Sequence, residues 1–128
     1  MDRTTLLERA RSAALRAHCP YSHFRVGAAL VADGQVFEGI NIEISSFGLT
    51  LCAERSALAA ALSNGSHTIT QVAVACIDAP PEAPLGQRTP CGACRQWLAD
   101  LAPDALLYID GFEQVFTIRD LLPHAFGL

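Results

Sequence analysis

The segment Thr70–Asp78 constrains the fold of this chain more than any other part of the sequence. Its residues Val72 to Ile77 are all apolar, with no alternation between polar and apolar positions. A strand with one exposed face alternates, whereas a strand covered on both faces is apolar throughout. The segment therefore predicts a central strand with helices packed on both sides of it.

Helical segments precede and follow this predicted strand. The apolar residues of Thr4–His18 recur at helical spacing, and Pro20 is expected to end that helix. Two further helices are predicted over Cys52–Leu62, which is rich in Ala and Leu, and over Cys91–Leu101. Gly65 is expected to close the first of these two, because glycine readily takes the left-handed conformation that ends a helix.

Four more extended segments complete the predicted sheet. Arg25–Val31 and Gln35–Asn41 lie on either side of Asp33-Gly34, a pair typical of a hairpin turn. Ala105–Ile109 and Gln114–Thr117 predict a last pair of strands. The Pro-rich segment 79–89, which precedes the helix predicted over Cys91–Leu101, is predicted to be a loop.

The order of these elements predicts an α/β fold. Thr117 is expected to cap a short last helix that runs through Leu122. Helix, hairpin, helix, strand, helix and strands describe a three-layer α/β/α sandwich with a mixed five-stranded sheet. No linker, repeat or low-complexity segment divides the sequence, so one domain over residues 1–128 is expected.

Charge and hydropathy argue against two classes of partner. The formal net charge is −4 and all nine basic residues are Arg, so no basic stripe is available for nucleic acid. The apolar runs are too short to span a bilayer and no secretory signal opens the chain, so a cytoplasmic protein without a membrane partner is predicted. The 51% hydrophobic fraction is high for a small domain, and part of that surface is expected in subunit interfaces.

Three cysteines stand at the starts of the two helices that flank the central strand. Cys52 begins the first helix, and Cys91 and Cys94 begin the second with C-x-x-C spacing. In parallel crossovers both helices start at the carboxyl edge of the sheet, so the three thiols are expected to meet. An odd total of five cysteines without a secretory signal argues against a disulfide framework.

A tetrahedral zinc ion suits these three thiolates and keeps a fourth position open for water, as catalytic sites do. The helix N-termini, with Arg55 or Arg95, would offset the thiolate charges. Glu54 follows Cys52 by two residues, where a carboxylate could move protons beside the metal.

Each signal alone has a simpler interpretation. Glu54 could merely favour the helix dipole, and Cys91 with Cys94 could form a thioredoxin-like redox pair. A non-catalytic zinc-binding or redox module is therefore an alternative. The combination of Cys-x-Glu with Pro-Cys-x-x-Cys is nevertheless typical of zinc deaminases. Cys19 and Cys76 are expected to be packed thiols rather than ligands.

Five separated blocks of the sequence follow a common pattern, namely residues 20–28 (PYSHFRVGA), 41–43 (NIE), 51–55 (LCAER), 90–96 (PCGACRQ) and 121–126 (LLPHAF). In these blocks the chain resembles the homotetrameric cytidine deaminases of nucleoside salvage. The resemblance implies one zinc ion per subunit on Cys52, Cys91 and Cys94. It also implies that Glu54 shuttles protons from water to the pyrimidine ring and to the leaving amino group.

The same resemblance implies a nucleoside substrate and shared active sites in a homotetramer. Asn41 and Glu43 would hold the ribose hydroxyls, and Ala53 would also contact the substrate. Phe24, together with Phe126 of a neighbouring subunit, would contact the pyrimidine. The remaining motif residues, Arg55, Arg95 and Gln96, would lie around the zinc ligands and support them without binding the metal.

Two positions depart from the pattern of this family. Ile44 stands where the family usually has Asn, and Phe47 stands where it usually has Tyr. Both changes remove hydrogen-bonding groups near the expected sugar position. A related deaminase for another aminopyrimidine, such as blasticidin S or a modified cytosine nucleoside, is therefore the alternative within enzymes.

Overall fold

The computed structural model describes all 128 residues. It consists of helices packed on one five-stranded sheet. Two single turns of 3₁₀ helix, Phe47–Leu49 and Leu85–Gln87, lie in the connections. The helices and strands in chain order are α1 Arg3–Ala14, β1 Val26–Ala32, β2 Gln35–Ile40, α2 Ala53–Ser63, β3 Ile69–Cys76, α3 Gly92–Leu101, β4 Leu106–Ile109, β5 Val115–Thr117 and α4 Ile118–Leu121. No helix is long and apolar enough to cross a membrane.

The sheet is mixed and has the strand order β2-β1-β3-β4-β5. Strand β1 is antiparallel to both β2 and β3, so β2 and β3 run in the same direction, and β3 is parallel to β4. Helix α2 connects β2 to β3 and helix α3 connects β3 to β4. Because each helix connects strands of one direction, α2 and α3 both begin at the carboxyl edge of β3.

Strand β3 is buried on both of its faces, as its sequence predicts. Val72 and Val74 pack in the larger core cluster with residues of α2 and α3, whereas Ala73 and Ala75 pack with residues of α1. Helix α1 therefore covers one face of the sheet, and α2 with α3 covers the other. The predicted three-layer α/β/α sandwich is confirmed.

The turn and cap predictions are also confirmed. Asp33 and Gly34 both have positive φ, 49° and 77°, as a tight hairpin turn requires. Gly65 has a φ of 84° directly after the C-cap of α2. Thr117 caps α4 in a reciprocal arrangement with Asp120.

Helix α1 ends at Ala14, four residues before the predicted end at His18. His18 instead forms an isolated bridge with Ile42, in which its N–H donates to Asn41 and its carbonyl accepts from Glu43. These tertiary hydrogen bonds replace the helical ones that periodicity alone predicts. The segment after Ala14 thereby reaches the end of β2.

Two glycines let helices approach the sheet closely. A Cβ atom on Gly27 would lie 2.0 Å from the carbonyl oxygen of Ala10 in α1. A Cβ atom on Gly39 would lie 2.3 Å from backbone atoms of Ala53 and Ala57 in α2. Both contacts are with backbone atoms, which cannot rotate away as a side chain can. The close packing of α1 and α2 on the sheet therefore requires glycine at these two positions.

We expect Gly39→Ala to push α2, which follows Cys52 directly, away from the sheet. Overpacking of this kind costs about 1 to 3 kcal/mol of unfolding free energy. Denaturant unfolding measures that loss, and metal analysis should show weaker zinc retention. Gly48→Ala is the control, because a Cβ atom there meets nothing within 4 Å. Equal stability of the two variants would contradict this account.

Candidate metal centre

Three cysteine sulfurs form a triangle at the carboxyl edge of β3. The Sγ atom of Cys91 lies 3.7 Å from that of Cys52 and 3.6 Å from that of Cys94, and all three lie within 4.8 Å of one another. Two thiolates bound about 2.3 Å from one tetrahedral zinc ion are about 3.8 Å apart. The spacing of the donors therefore fits zinc, with a fourth position left for another ligand.

The helix starts place these sulfurs. Cys52 is the N-cap of α2 and Cys91 is the N-cap of α3, both with extended backbone, while Cys94 lies in the first turn of α3. Neither N-cap side chain accepts from a backbone N–H group of its own helix. The free N–H groups and positive dipole ends of both helices therefore favour thiolates here.

The thiols influence one another strongly. Hydrogen bonds, above all from Cys94 and also from Arg55, lower the pKa of Cys52 to about 5. Donation to Cys52 and burial raise the pKa of Cys94. One thiolate is thus stable at neutral pH without a metal, whereas three adjacent thiolates require a divalent cation to offset their repulsion.

Glu54 is the second residue of α2, in its first turn, and is 4% exposed. Burial, and to a smaller extent the negative charge of Cys52, raise the pKa of Glu54 to about 7. A carboxyl group with a pKa near neutrality can both accept and release a proton. Glu54 therefore has the protonation behaviour of a general acid and base.

The two arginines of the motifs have different contacts. Arg55 donates from Nη2 to Sγ of Cys52 at 3.4 Å and to the carbonyl of Thr50 at 3.0 Å. Arg95 donates to the carbonyls of Pro90 and Leu121, both at 2.9 Å, and to the hydroxyl of Thr89. Arg55 thus contacts a ligand directly, whereas Arg95 fixes the loop that precedes Cys91.

A cavity of about 170 Å³ opens beside the sulfur cluster and is lined by Cys52 and Cys91 of that cluster. An apolar cavity of roughly 150 Å³ can hold benzene, so this one has room for a six-membered ring. Six of the lining residues are expected at the site from the sequence, namely Phe24, Asn41, Cys52, Ala53, Glu54 and Cys91. Thr50, Gln87 and Thr89 also line the cavity, and no sequence pattern indicates them because they lie in connections without periodicity.

Asn41 and Glu43 are both buried, and both bond to the segment before β1. Asn41 accepts from the N–H of Val26 and donates to the carbonyl of Phe24. Glu43 accepts from the hydroxyl of Ser22 at 2.5 Å, which lowers the pKa of this carboxyl, and from two backbone N–H groups. Asn41 lines the cavity, whereas Glu43 does not.

Phe126 and Gln96 lie together, and neither lines the cavity of its own chain. The side chain of Gln96 donates to the carbonyl of Phe126 at 2.8 Å, and Phe126 is 68% exposed. Ile44 and Phe47 are exposed as well and do not line the cavity. Phe47 packs edge-on against Tyr21, with ring centroids 6.1 Å apart.

Cys76 lines the same cavity but lies outside the sulfur triangle. Burial raises the pKa of its thiol to about 12, so Cys76 is neutral at physiological pH. Cys19 is also a buried free thiol. Neither residue belongs to the metal-binding cluster.

Three clustered cysteines and a buried glutamate at the N-terminal starts of two helices define the site of a zinc-dependent deaminase. The model of the family described as "Cytidine and deoxycytidylate deaminase zinc-binding region" matches residues 1–109. The chain therefore belongs to this family of hydrolytic deaminases. One zinc ion per chain fits the zinc-binding region of the family and the cluster of Cys52, Cys91 and Cys94.

Relatives in sequence and structure agree with this family. The cytidine deaminase of Halalkalibacterium halodurans is 45% identical, over 98% of this chain and 95% of that protein. The probable cytidine deaminase of Dictyostelium discoideum is 47% identical, over 94% of this chain and 81% of that protein. The crystal structure of cytidine deaminase from Burkholderia pseudomallei superposes with a TM-score of 0.86 at 42% identity, covering 98% of this chain and 100% of that one.

Proposed function

We propose that this protein hydrolyses cytidine and 2′-deoxycytidine to uridine and 2′-deoxyuridine, with release of ammonia, in pyrimidine salvage. The observation that carries this proposal is a buried glutamate beside a cluster of three cysteines that fits zinc, in a cavity with room for one six-membered ring. The relatives described above are cytidine deaminases, which favours cytosine nucleosides over blasticidin S.

In this proposal Cys52, Cys91 and Cys94 hold the zinc ion. When bound, zinc supplies the Lewis acidity that lowers the pKa of the attacking water. Glu54 accepts a proton from that water at its carboxylate and delivers it to N3 of the ring. The water oxygen bonds to C4, and the carboxylate then takes the remaining proton of that oxygen and passes it to the amino nitrogen. The C4–N bond breaks, ammonia leaves and a carbonyl group forms at C4. Water is consumed and one ammonia is released for each base converted.

The remaining residues hold the substrate and the zinc ligands. Phe24 and Ala53 would pack against the ring inside the cavity, which is too small for the sugar as well. Asn41, which lines the cavity, and Glu43, two residues further along the chain, would then meet the sugar hydroxyls outside the cavity. Behind the zinc, Arg55 would stabilise a thiolate directly. Arg95 and Gln96 would support the loop before Cys91 and the C-terminal segment.

We expect cytidine and 2′-deoxycytidine both to be deaminated, with kcat/KM values within about tenfold of each other. Ile44 and Phe47 lack groups that could bond the sugar, and one neutral hydrogen bond is worth about 0.5 to 1.5 kcal/mol. Ile44→Asn should tighten binding of one or both nucleosides. Ammonia release across cytosine nucleosides, nucleotides, free cytosine and blasticidin S measures this. Turnover of blasticidin S alone would replace the cytidine proposal.

We also propose a homotetramer in which each active site is completed by Phe126 of a neighbour. Phe126 and several other large apolar side chains are exposed in the single chain, namely Leu49, Phe47 and Trp97. Apolar surface of this kind is typical of protein interfaces. The hydrogen bond from Gln96 would hold the C-terminal segment in place for the neighbouring subunit.

Deletion of residues 126–128 should raise the KM for cytidine about tenfold or more, because one buried phenylalanine contributes about 1.5 to 3 kcal/mol. Deletion of residues 127–128 alone is the control and should change little. Co-expression of Glu54→Gln and Phe126→Ala subunits should restore activity, since mixed tetramers contain some complete sites. A fully active monomer in sedimentation, or no complementation, would contradict shared sites.

A cytoplasmic location and a single catalytic domain over residues 1–128 complete the proposal. All five cysteines are free, and the sulfurs of the metal centre lie close enough to pair if oxidised. A reducing compartment keeps such thiols available for zinc. Every helix packs against the one sheet or against a helix that does, which supports folding as one unit.

A further inference from the structure

Arg88 is a buried cation that the proposed chemistry does not use. Its side chain is 8% exposed and forms no ion pair. The guanidinium donates instead to the carbonyl oxygens of Pro80 at 2.6 Å, Pro81 at 3.4 Å and Asp110 at 3.2 Å. It also lies 6.0 Å from the ring centre of Phe112. Burying a charge costs free energy unless hydrogen bonds compensate for it, so a buried arginine in this loop indicates a specific structural role.

The neighbours of Arg88 in the chain indicate what this role is. Gln87, Thr89 and Cys91 line the cavity, whereas Arg88 and Pro90 between them are buried and do not line it. Alternate residues of segment 87–91 therefore form the cavity wall, while the side chain of Arg88 anchors the same segment to backbone carbonyls elsewhere in the fold. The last residue of this segment is a zinc ligand of the proposed site.

Gly111 shows that the turn after β4 accommodates the guanidinium. A Cβ atom on Gly111 would lie only 2.6 Å from Nη1 of Arg88. Arg88 thus joins three parts of the fold: the start of the loop at Pro80 and Pro81, the turn at 110–112, and the segment that leads to Cys91. A planar guanidinium directs its donors at fixed angles, so it fixes the relative positions of these backbones.

We propose that Arg88 is a positioning residue that holds Cys91 and the adjoining cavity wall in place through backbone carbonyls of the loop and of the turn after β4. This inference rests on the proposed zinc site and deepens it. Arg88 touches neither zinc nor substrate; it acts through the backbone of segment 87–91. Lysine cannot replace it fully, because an ammonium group is a point charge without the planar fork.

The test compares zinc release from Arg88→Met, Arg88→Lys and wild-type holoenzyme to a chromogenic chelator. We expect Arg88→Met to release zinc about tenfold faster or more, the range seen when residues that orient metal ligands are lost. Arg88→Lys should fall between the two. With excess zinc, Arg88→Met should also show a raised KM for cytidine, because Gln87 and Thr89 shift. Circular dichroism at the assay temperature should show each variant folded.

Arg16→Met removes an arginine of a surface ion pair, 57% exposed, and should leave zinc release unchanged. Zinc release from Arg88→Met within about twofold of this control would overturn the proposal. If wild-type protein binds zinc but does not deaminate cytidine, the proposed substrate fails while the comparison of zinc release still decides the role of Arg88.

A glycine pair tests the same inference if Arg88→Met does not fold. Gly111→Ala and Gly65→Ala carry similar backbone strain, because both glycines have φ near 90°, at 93° and 84°. Only at Gly111 does the new Cβ atom meet Arg88; at Gly65 it meets nothing within 4 Å. Faster zinc release from Gly111→Ala alone supports the proposal, and equal release from the two variants overturns it.

Discussion

Glu54→Gln is expected to lower the turnover of cytidine by about 10² to 10⁴-fold or more, since general acid and base groups contribute this much and Glu54 would serve several transfers. The amide has the same volume but cannot exchange protons at neutral pH. The fold and the zinc content should remain unchanged, because Glu54 is not one of the three clustered sulfur donors. Ammonia release and metal analysis on the same preparation measure both effects.

Glu8→Gln is a matched control for this substitution. Glu8 is exposed on α1, which covers the opposite face of the sheet. The same chemical change there should leave turnover unaltered. A Glu54→Gln protein that keeps a tenth of the wild-type activity would show that another group moves the protons.

Cys91→Ala is expected to abolish stoichiometric zinc binding, from about one zinc ion per chain to a small fraction after dialysis, because two thiolates do not complete a tetrahedral site. It should also lower the melting temperature, since the free energy of metal binding is shared with folding. Treatment of the wild-type protein with a chelator should lower its melting temperature in the same direction. Metal analysis and thermal unfolding check both expectations.

Cys76→Ala distinguishes a zinc ligand from a cysteine that merely lines the cavity. Cys76 lies in the same cavity, but its sulfur is outside the triangle formed by the other three. This variant should keep its zinc. Loss of zinc from Cys76→Ala, or its full retention in Cys91→Ala, would mean that the ligands have been wrongly assigned.

The sequence predicted the features that depend on local pattern. The unbroken apolar run in β3 predicted a strand covered on both faces, and this fixed the three layers. Cys52 and Cys91 could be placed at helix starts, and parallel connections bring such starts to one edge of a sheet. The meeting of the three sulfurs therefore followed from topology together with spacing.

The remaining features depend on tertiary contacts that periodicity does not record. The early end of α1 results from the hydrogen bonds of His18 to the end of β2. Arg95 and Glu43 bond to loop segments, and the sequence could not distinguish these contacts from contacts with sulfur or sugar. A buried arginine in a Pro-rich loop, such as Arg88, resembles any exposed arginine until its carbonyl partners are known.

The most direct test of the central claim is ammonia release from cytidine by the purified protein loaded with zinc. The proposed function predicts one ammonia and one uridine for each cytidine consumed, with activity lost on zinc removal and regained when zinc is restored. Protein that carries one zinc ion per chain and remains folded, yet releases no ammonia from cytidine or 2′-deoxycytidine, would contradict it.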